Sequence, residues 1–131
     1  MDETPQKINV AKKILWIEDD FMIGTILGAK LIGAGYELMH INTGEEAMYY
    51  LKDMVPDLIV LDLLLPGIDG FAVLKHIHTH ELLNKVPVII LSNVNRQTDI
   101  ESAKKLGART YLVKTSTTME QVLSEVSSLL K

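Results

Sequence analysis

Leu58-Ile59-Val60-Leu61-Asp62 is the stretch that decides the fold: a continuous apolar run, partly β-branched, closed abruptly by a carboxylate. A run that short with no polar face reads as a strand covered on both sides, as strands of parallel sheets are. Pro56 closes the helical segment before it, while Pro66-Gly67 and Asp69-Gly70 mark a turn into a helix around residues 71–80. The same unit recurs on either side. Upstream, Ile14-Leu15-Trp16-Ile17 ends in Glu18-Asp19-Asp20, and helical spacing follows over residues 21–34 until Gly33 and Gly35 stop it. Residues 36–41 read as another strand, and Thr43 with Glu46 offers a capping box for the next helix. Downstream, residues 86–91 form an apolar strand ending in Ser92-Asn93, and a helix over residues 95–106 stops at Gly107. Tyr111-Leu112-Val113 then ends in Lys114. Thr117 and Glu120 suggest a cap for a last helix with Val122, Leu123, Val126, Leu129 and Leu130 on one face.

Five strands alternating with five helices require crossover connections. The expected architecture is therefore α/β, a parallel sheet between two helical layers. Its length of 131 residues with 47% hydrophobic content suits one core and one domain. Residues 1–11 lack a sustained period and read as a flexible N-terminal arm, with the domain spanning 12–131. A net charge of −4 argues against direct binding of nucleic acid. The absence of cysteine excludes disulfides, thiolate metal sites and cysteine nucleophiles. The acidic start lacks the pattern of a secretory signal, and no apolar run is long enough for membrane insertion, so a cytoplasmic address is the default expectation.

In open parallel sheets, ligands bind beyond the carboxyl ends of the strands. The exits here carry Glu18, Asp19 and Asp20, then Asp62, Ser92 and Lys114. Carboxylates gathered in one pocket repel unless a cation lies among them, and hard oxygen donors suit Mg²⁺, with Mn²⁺ as the alternative. Lys114 and Ser92 would supply a charge and a hydroxyl to an anionic phosphoryl group. Asp62 is then the candidate nucleophile, since a carboxylate can form an aspartyl phosphate. Asp20 reads as a helix cap instead, and Asp57 as a surface residue at a strand start.

Residues 14–20, residues 56–62 with Leu65-Pro66-Gly67-Ile68-Asp69-Gly70, residues 87–92, and residues 111–114 together resemble the receiver domains of two-component response regulators. The resemblance runs in order from about residue 12 to the end. It implies a flavodoxin-like, CheY-like sandwich with strand order 2-1-3-4-5 and Asp62 as phosphoacceptor. By the same resemblance the metal is held by Glu18, Asp19, Asp62 and the backbone carbonyl of Leu64. Ser92 and Lys114 bind the phosphoryl group, and Tyr111 turns inward when the switch is thrown. The implied partners are a histidine kinase or histidine phosphotransfer protein as donor, and a downstream protein docking on the face of the fourth helix, fifth strand and fifth helix. A homodimer is allowed. Such a domain is not an enzyme in the usual sense, although it promotes its own phosphorylation and dephosphorylation.

This chain departs from the family at two places. Thr115 follows Lys114 where proline, after a cis peptide, is common, so the loop is either strained or rebuilt. Asn93 follows Ser92 where a small residue is usual. Leu64 and Val94 cannot orient an attacking water, so dephosphorylation should be slow. Two other functions compete: a degenerate receiver acting as a phosphorylation-independent scaffold, and a phosphatase, against which apolar Leu64 stands at the expected acid position. His76, His78 and His80 read as groups suiting a helix C-terminus, and Gly24 and Gly28 as a seam for a neighbouring helix.

Overall fold

The computed structural model describes residues 10–131. Most of the expected N-terminal arm lies outside them. Five parallel strands, β1 (Lys13–Ile17), β2 (Glu37–Ile41), β3 (Leu58–Leu61), β4 (Val88–Ser92) and β5 (Thr110–Val113), stand in the order β2-β1-β3-β4-β5. Between and after them run α1 (Phe21–Gly33), α2 (Gly44–Tyr50), α3 (Gly70–Thr79), α4 (Gln97–Lys105) and α5 (Met119–Leu129). This is the expected flavodoxin-like arrangement.

Side chains alternate across the sheet, so the central strands feed two cores. Leu15, Ile17, Ile59, Leu61, Val88 and Ile90 pack with Ala47, Val73, Leu74, Ile77 and Ala103 from α2, α3 and α4. On the other face, Ile14, Trp16, Leu58, Val60, Ile89 and Leu91 meet Leu27 and Leu31 of α1 and Val122 and Val126 of α5. Covering both faces explains why these strands are apolar at nearly every position.

Several boundaries differ from the sequence reading. β4 starts at Val88 rather than 86, directly after Pro87, which has no N–H for the ladder. α2 ends at Tyr50, well before Pro56, in a turn closed by the Met54 N–H on the Tyr50 carbonyl. Thr43 caps α2 as expected by accepting the Glu46 N–H, but no reciprocal bond from Glu46 forms; Glu45 instead accepts the Ile68 N–H at 2.6 Å. The last capping box is Thr118 with Gln121, one residue later than expected, because a 3-10 turn at Lys114–Ser116 precedes it. Thr117 instead donates its hydroxyl to the Val113 carbonyl. The seam at Gly24 and Gly28 receives His40 and Leu38 of β2, not a neighbouring helix.

Register brings the strand exits level. Ile17 pairs with Leu61, Leu61 with Ile90, and Ser92 with Val113. The Asp62 N–H extends the ladder by donating to the Ile17 carbonyl at 3.0 Å. The following loop returns tightly at Gly70, whose missing side chain leaves room for the Asp62 carbonyl and Leu63 Cα. A Cβ there would overlap backbone that cannot move independently. Gly70→Ala is therefore expected to destabilise the protein by about 3 kcal/mol, read from the urea midpoint. An unchanged midpoint would contradict this packing.

Candidate functional site

Glu18, Asp62 and Ser92 are buried polar residues at the exits of β1, β3 and β4. Glu18 is held on both sides. Its Oε1 accepts the Asp20 N–H at 3.0 Å, and its backbone carbonyl is bonded by His40 Nε2 at 2.7 Å, which requires the proton on that nitrogen. Asp62 Oδ1 accepts the Leu64 N–H at 2.9 Å, turning the chain directly after the strand. Asp20 caps α1 by accepting the Met22 and Ile23 N–H groups, the role expected for it. Asp57, exposed as expected, accepts the Lys13 N–H.

Lys114 joins the two buried acids. Its Nζ lies 2.6 Å from Asp62 Oδ2 and 2.6 Å from Glu18 Oε2. It donates a hydrogen bond to Asp62 and forms an ion pair with Glu18 Oε2 at the same distance. Burial opposes the charged form of Lys114, but its bonds to Asp62 and Glu18 outweigh that, and its pKa is raised. Burial pushes the Glu18 carboxyl up to about 7, with the negative charge of Asp62 acting in the same direction, against its bonds to Lys114 and Asp20.

Among the described residues, Glu18, Asp19 and Asp62 each present a carboxylate oxygen, and the three lie within 4.8 Å of one another. One is exposed and two are buried, so the cluster opens to solvent on one side. Three hard carboxylate oxygens, two of them from buried residues and with a single neutralising lysine beside them, are a donor set that fits a divalent cation such as Mg²⁺. Without metal, protonated Glu18 favours the fold. That contribution is full below the ordinary value of 4.5 and is lost as pH rises through about 7. Metal binding must release this proton, so Mg²⁺ affinity should fall as pH drops below about 7. Titrations at several pH values check this, and Glu18→Gln should flatten the dependence.

At the exit of β4, Ser92 Oγ accepts the Val94 N–H at 3.2 Å. Tyr111 is half-buried and donates its hydroxyl to the Val94 carbonyl. Burial, followed by the charges of Asp99 and Asp62, raises its pKa, so it stays protonated as a donor. No cis peptide occurs among the described residues. The loop after β5 is therefore rebuilt as the 3-10 turn, and Lys114 still reaches Asp62. Asn93 Oδ1 accepts the Thr115 N–H at 3.1 Å, so the two departures from the family pattern touch each other.

Of the histidines at the end of α3, His80 stands at the C-cap and braces the turn that follows the helix rather than the helix's last carbonyls. His80 Nδ1 accepts the Leu82 and Leu83 N–H groups. Sequence reasoning missed His40 and Glu45, which brace the loops after β1 and β3. No local signal marks them, because each acts on backbone more than 20 residues away in sequence.

The 2-1-3-4-5 sheet gathers acids at the exits of β1 and β3, a hydroxyl at β4 and a lysine at β5 into one pocket, the arrangement the resemblance to receiver domains implies. A family model for the response regulator receiver domain matches residues 14–126, and the chain belongs to that family. It is 40% identical over 101 residues to the transcriptional regulatory protein AfsQ1 of Streptomyces coelicolor, covering 77% of this chain and 44% of that protein. The chain thus spans less than half the length of this relative. A putative response regulator from Chloroflexus aurantiacus superposes with a TM-score of 0.84 at 30% identity, covering 92% of this chain and 98% of that one. The receiver domain of sensor histidine kinase PA1611 from Pseudomonas aeruginosa, with a magnesium ion coordinated in its active site cleft, superposes with a TM-score of 0.82 at 26% identity, covering 92% and 98%. No helix among the described residues is long and apolar enough to cross a membrane.

Proposed function

We propose that Asp62 accepts a phosphoryl group from a histidine kinase or histidine phosphotransfer protein, and that the modified domain signals by docking a downstream protein. The observation that carries this reading is the buried Asp62 carboxylate, paired with Lys114 and clustered with Glu18 and Asp19. An Asp62 oxygen attacks phosphorus while the bond from phosphorus to the donor imidazole nitrogen breaks, and that nitrogen keeps the bonding pair. Lys114 neutralises charge on the incoming group, and Ser92 leaves the Val94 N–H to donate its hydroxyl to a phosphoryl oxygen. Glu18, Asp19, Asp62 and the Leu64 carbonyl would hold Mg²⁺ or Mn²⁺. When bound, the cation screens the two anionic reactants from each other.

Phe21, Met22 and Ile26 expose apolar surface on α1 directly after Asp19-Asp20, where a donor protein can rest beside the pocket. The output side in this reading is α4, β5 and α5, where Tyr111 bonds to the loop that Ser92 must move. The domain then works in the cytoplasm, on proteins rather than on nucleic acid directly. Leu64 and Val94 offer a water no polar side chain, so the acyl phosphate should persist; rapid phosphate release would contradict that role. The scaffold alternative drew on Thr115 alone, and Lys114 reaching Asp62 supports the switch instead. Beryllofluoride with Mg²⁺ should shift the amide resonances of Ser92 and Lys114. Unchanged spectra at high concentration would overturn the proposal.

A further inference from the structure

We infer that Asn93 is a positioning residue, locking the loop that carries Ser92 to the turn that carries Lys114. The inference rests on the phosphoacceptor reading above and adds a residue to it. Asn93 is exposed and follows the buried Ser92, and its Oδ1 accepts the Thr115 N–H across 22 residues of sequence. Thr115 belongs to the 3-10 turn at Lys114–Ser116. The first N–H groups of such a turn have no partner inside it, so they are open to an acceptor from elsewhere in the chain. Asn93 supplies one, and it can do so only because residue 115 is not proline.

The short loop after β4 is consequently gripped from β5 at two points. The Tyr111 hydroxyl, from within β5, holds the Val94 carbonyl. The Thr115 amide, just beyond β5, holds Asn93. Ser92 bonds the Val94 N–H, so one residue, Val94, touches both switch residues through its two backbone groups. When Ser92 advances on a phosphoryl group at Asp62, the displacement of this loop pulls on the turn through Asn93. The hydroxyl and the ammonium that meet the phosphoryl group then move as one unit, and neither departure would work without the other.

The test is a double-mutant cycle on the whole chain, using Asn93→Ala, Thr115→Pro and their combination, with beryllofluoride and Mg²⁺ as the probe. Both sites are exposed, and Asn93→Ala removes no packed group. Asn93→Ala should speed hydrogen exchange at the Thr115 amide and weaken beryllofluoride binding about fivefold, the worth of one neutral hydrogen bond. Mg²⁺ affinity should not move, and the thermal midpoint should fall by no more than the loss of one exposed hydrogen bond accounts for, whereas a merely structural role would leave beryllofluoride binding unchanged. Thr115→Pro should weaken binding as well, and adding Asn93→Ala to it should cost nothing further. An indifferent Asn93→Ala, or losses that multiply in the double variant, would overturn the inference while leaving Asp62 as phosphoacceptor. If the natural chain itself ignores beryllofluoride, the phosphoacceptor reading fails, and this inference fails with it.

Discussion

Asp62→Asn should abolish phosphoryl transfer to the domain without unfolding it. The amide keeps the shape of the carboxylate and can still accept the Leu64 N–H, so the turn after β3 survives. What disappears is the anionic oxygen that attacks phosphorus, and no other carboxylate takes its place. Glu18 is pinned by the Asp20 N–H and Lys114, and Asp19 is exposed at the rim. Removing one of three clustered carboxylates also relieves repulsion on Glu18, whose pKa the Asp62 charge helps to raise. Because Lys114 keeps Glu18 as its partner, stability should stay within about 1 kcal/mol of the natural chain, while Mg²⁺ binding weakens. Labelled phosphodonor and a urea titration on the same preparation check both halves. Retained labelling, or a collapse of stability, would contradict this division of roles.

Lys114→Met should have the largest effect on stability. The lysine side chain is 11% exposed and bridges two acids that are nearly inaccessible, so its loss strands buried negative charge. Breaking such a pair from one side costs about 3–5 kcal/mol. Glu18 can soften the loss by taking up a proton, since its carboxyl already sits at about 7. The deficit should accordingly be greatest near pH 8 and shrink toward pH 6, and Mg²⁺ should recover much of it because a divalent cation substitutes for the missing charge. Urea midpoints at two pH values, with and without Mg²⁺, measure this. A variant as stable as the natural chain, or one indifferent to Mg²⁺, would show that Lys114 is not what holds the acids together.

Much of this was legible in the sequence for one physical reason. A strand buried on both faces leaves a continuous apolar run, and the polar residue that ends it stands out. Ile14-Leu15-Trp16-Ile17 before Glu18 and Leu58-Ile59-Val60-Leu61 before Asp62 therefore located both the sheet and the acids. Caps were less secure, because consecutive threonines at 117 and 118 both suit one, and only the 3-10 turn after β5 decides for Thr118. Gly24 and Gly28 announced close packing but not its partner, which proved to be His40 and Leu38 of β2. Contacts between distant loops left no trace in spacing. Asn93 and Thr115 each looked like a separate departure, and only the fold shows one bonding the other.

The most direct test of the central claim is to incubate the chain with Mg²⁺ and acetyl phosphate, trap the acyl phosphate by borohydride reduction, and map the product by mass spectrometry. The account predicts a Mg²⁺-dependent gain of one phosphoryl group whose reduced product maps to Asp62. No modification at saturating donor, or modification at any other carboxylate with Asp62 untouched, would contradict it.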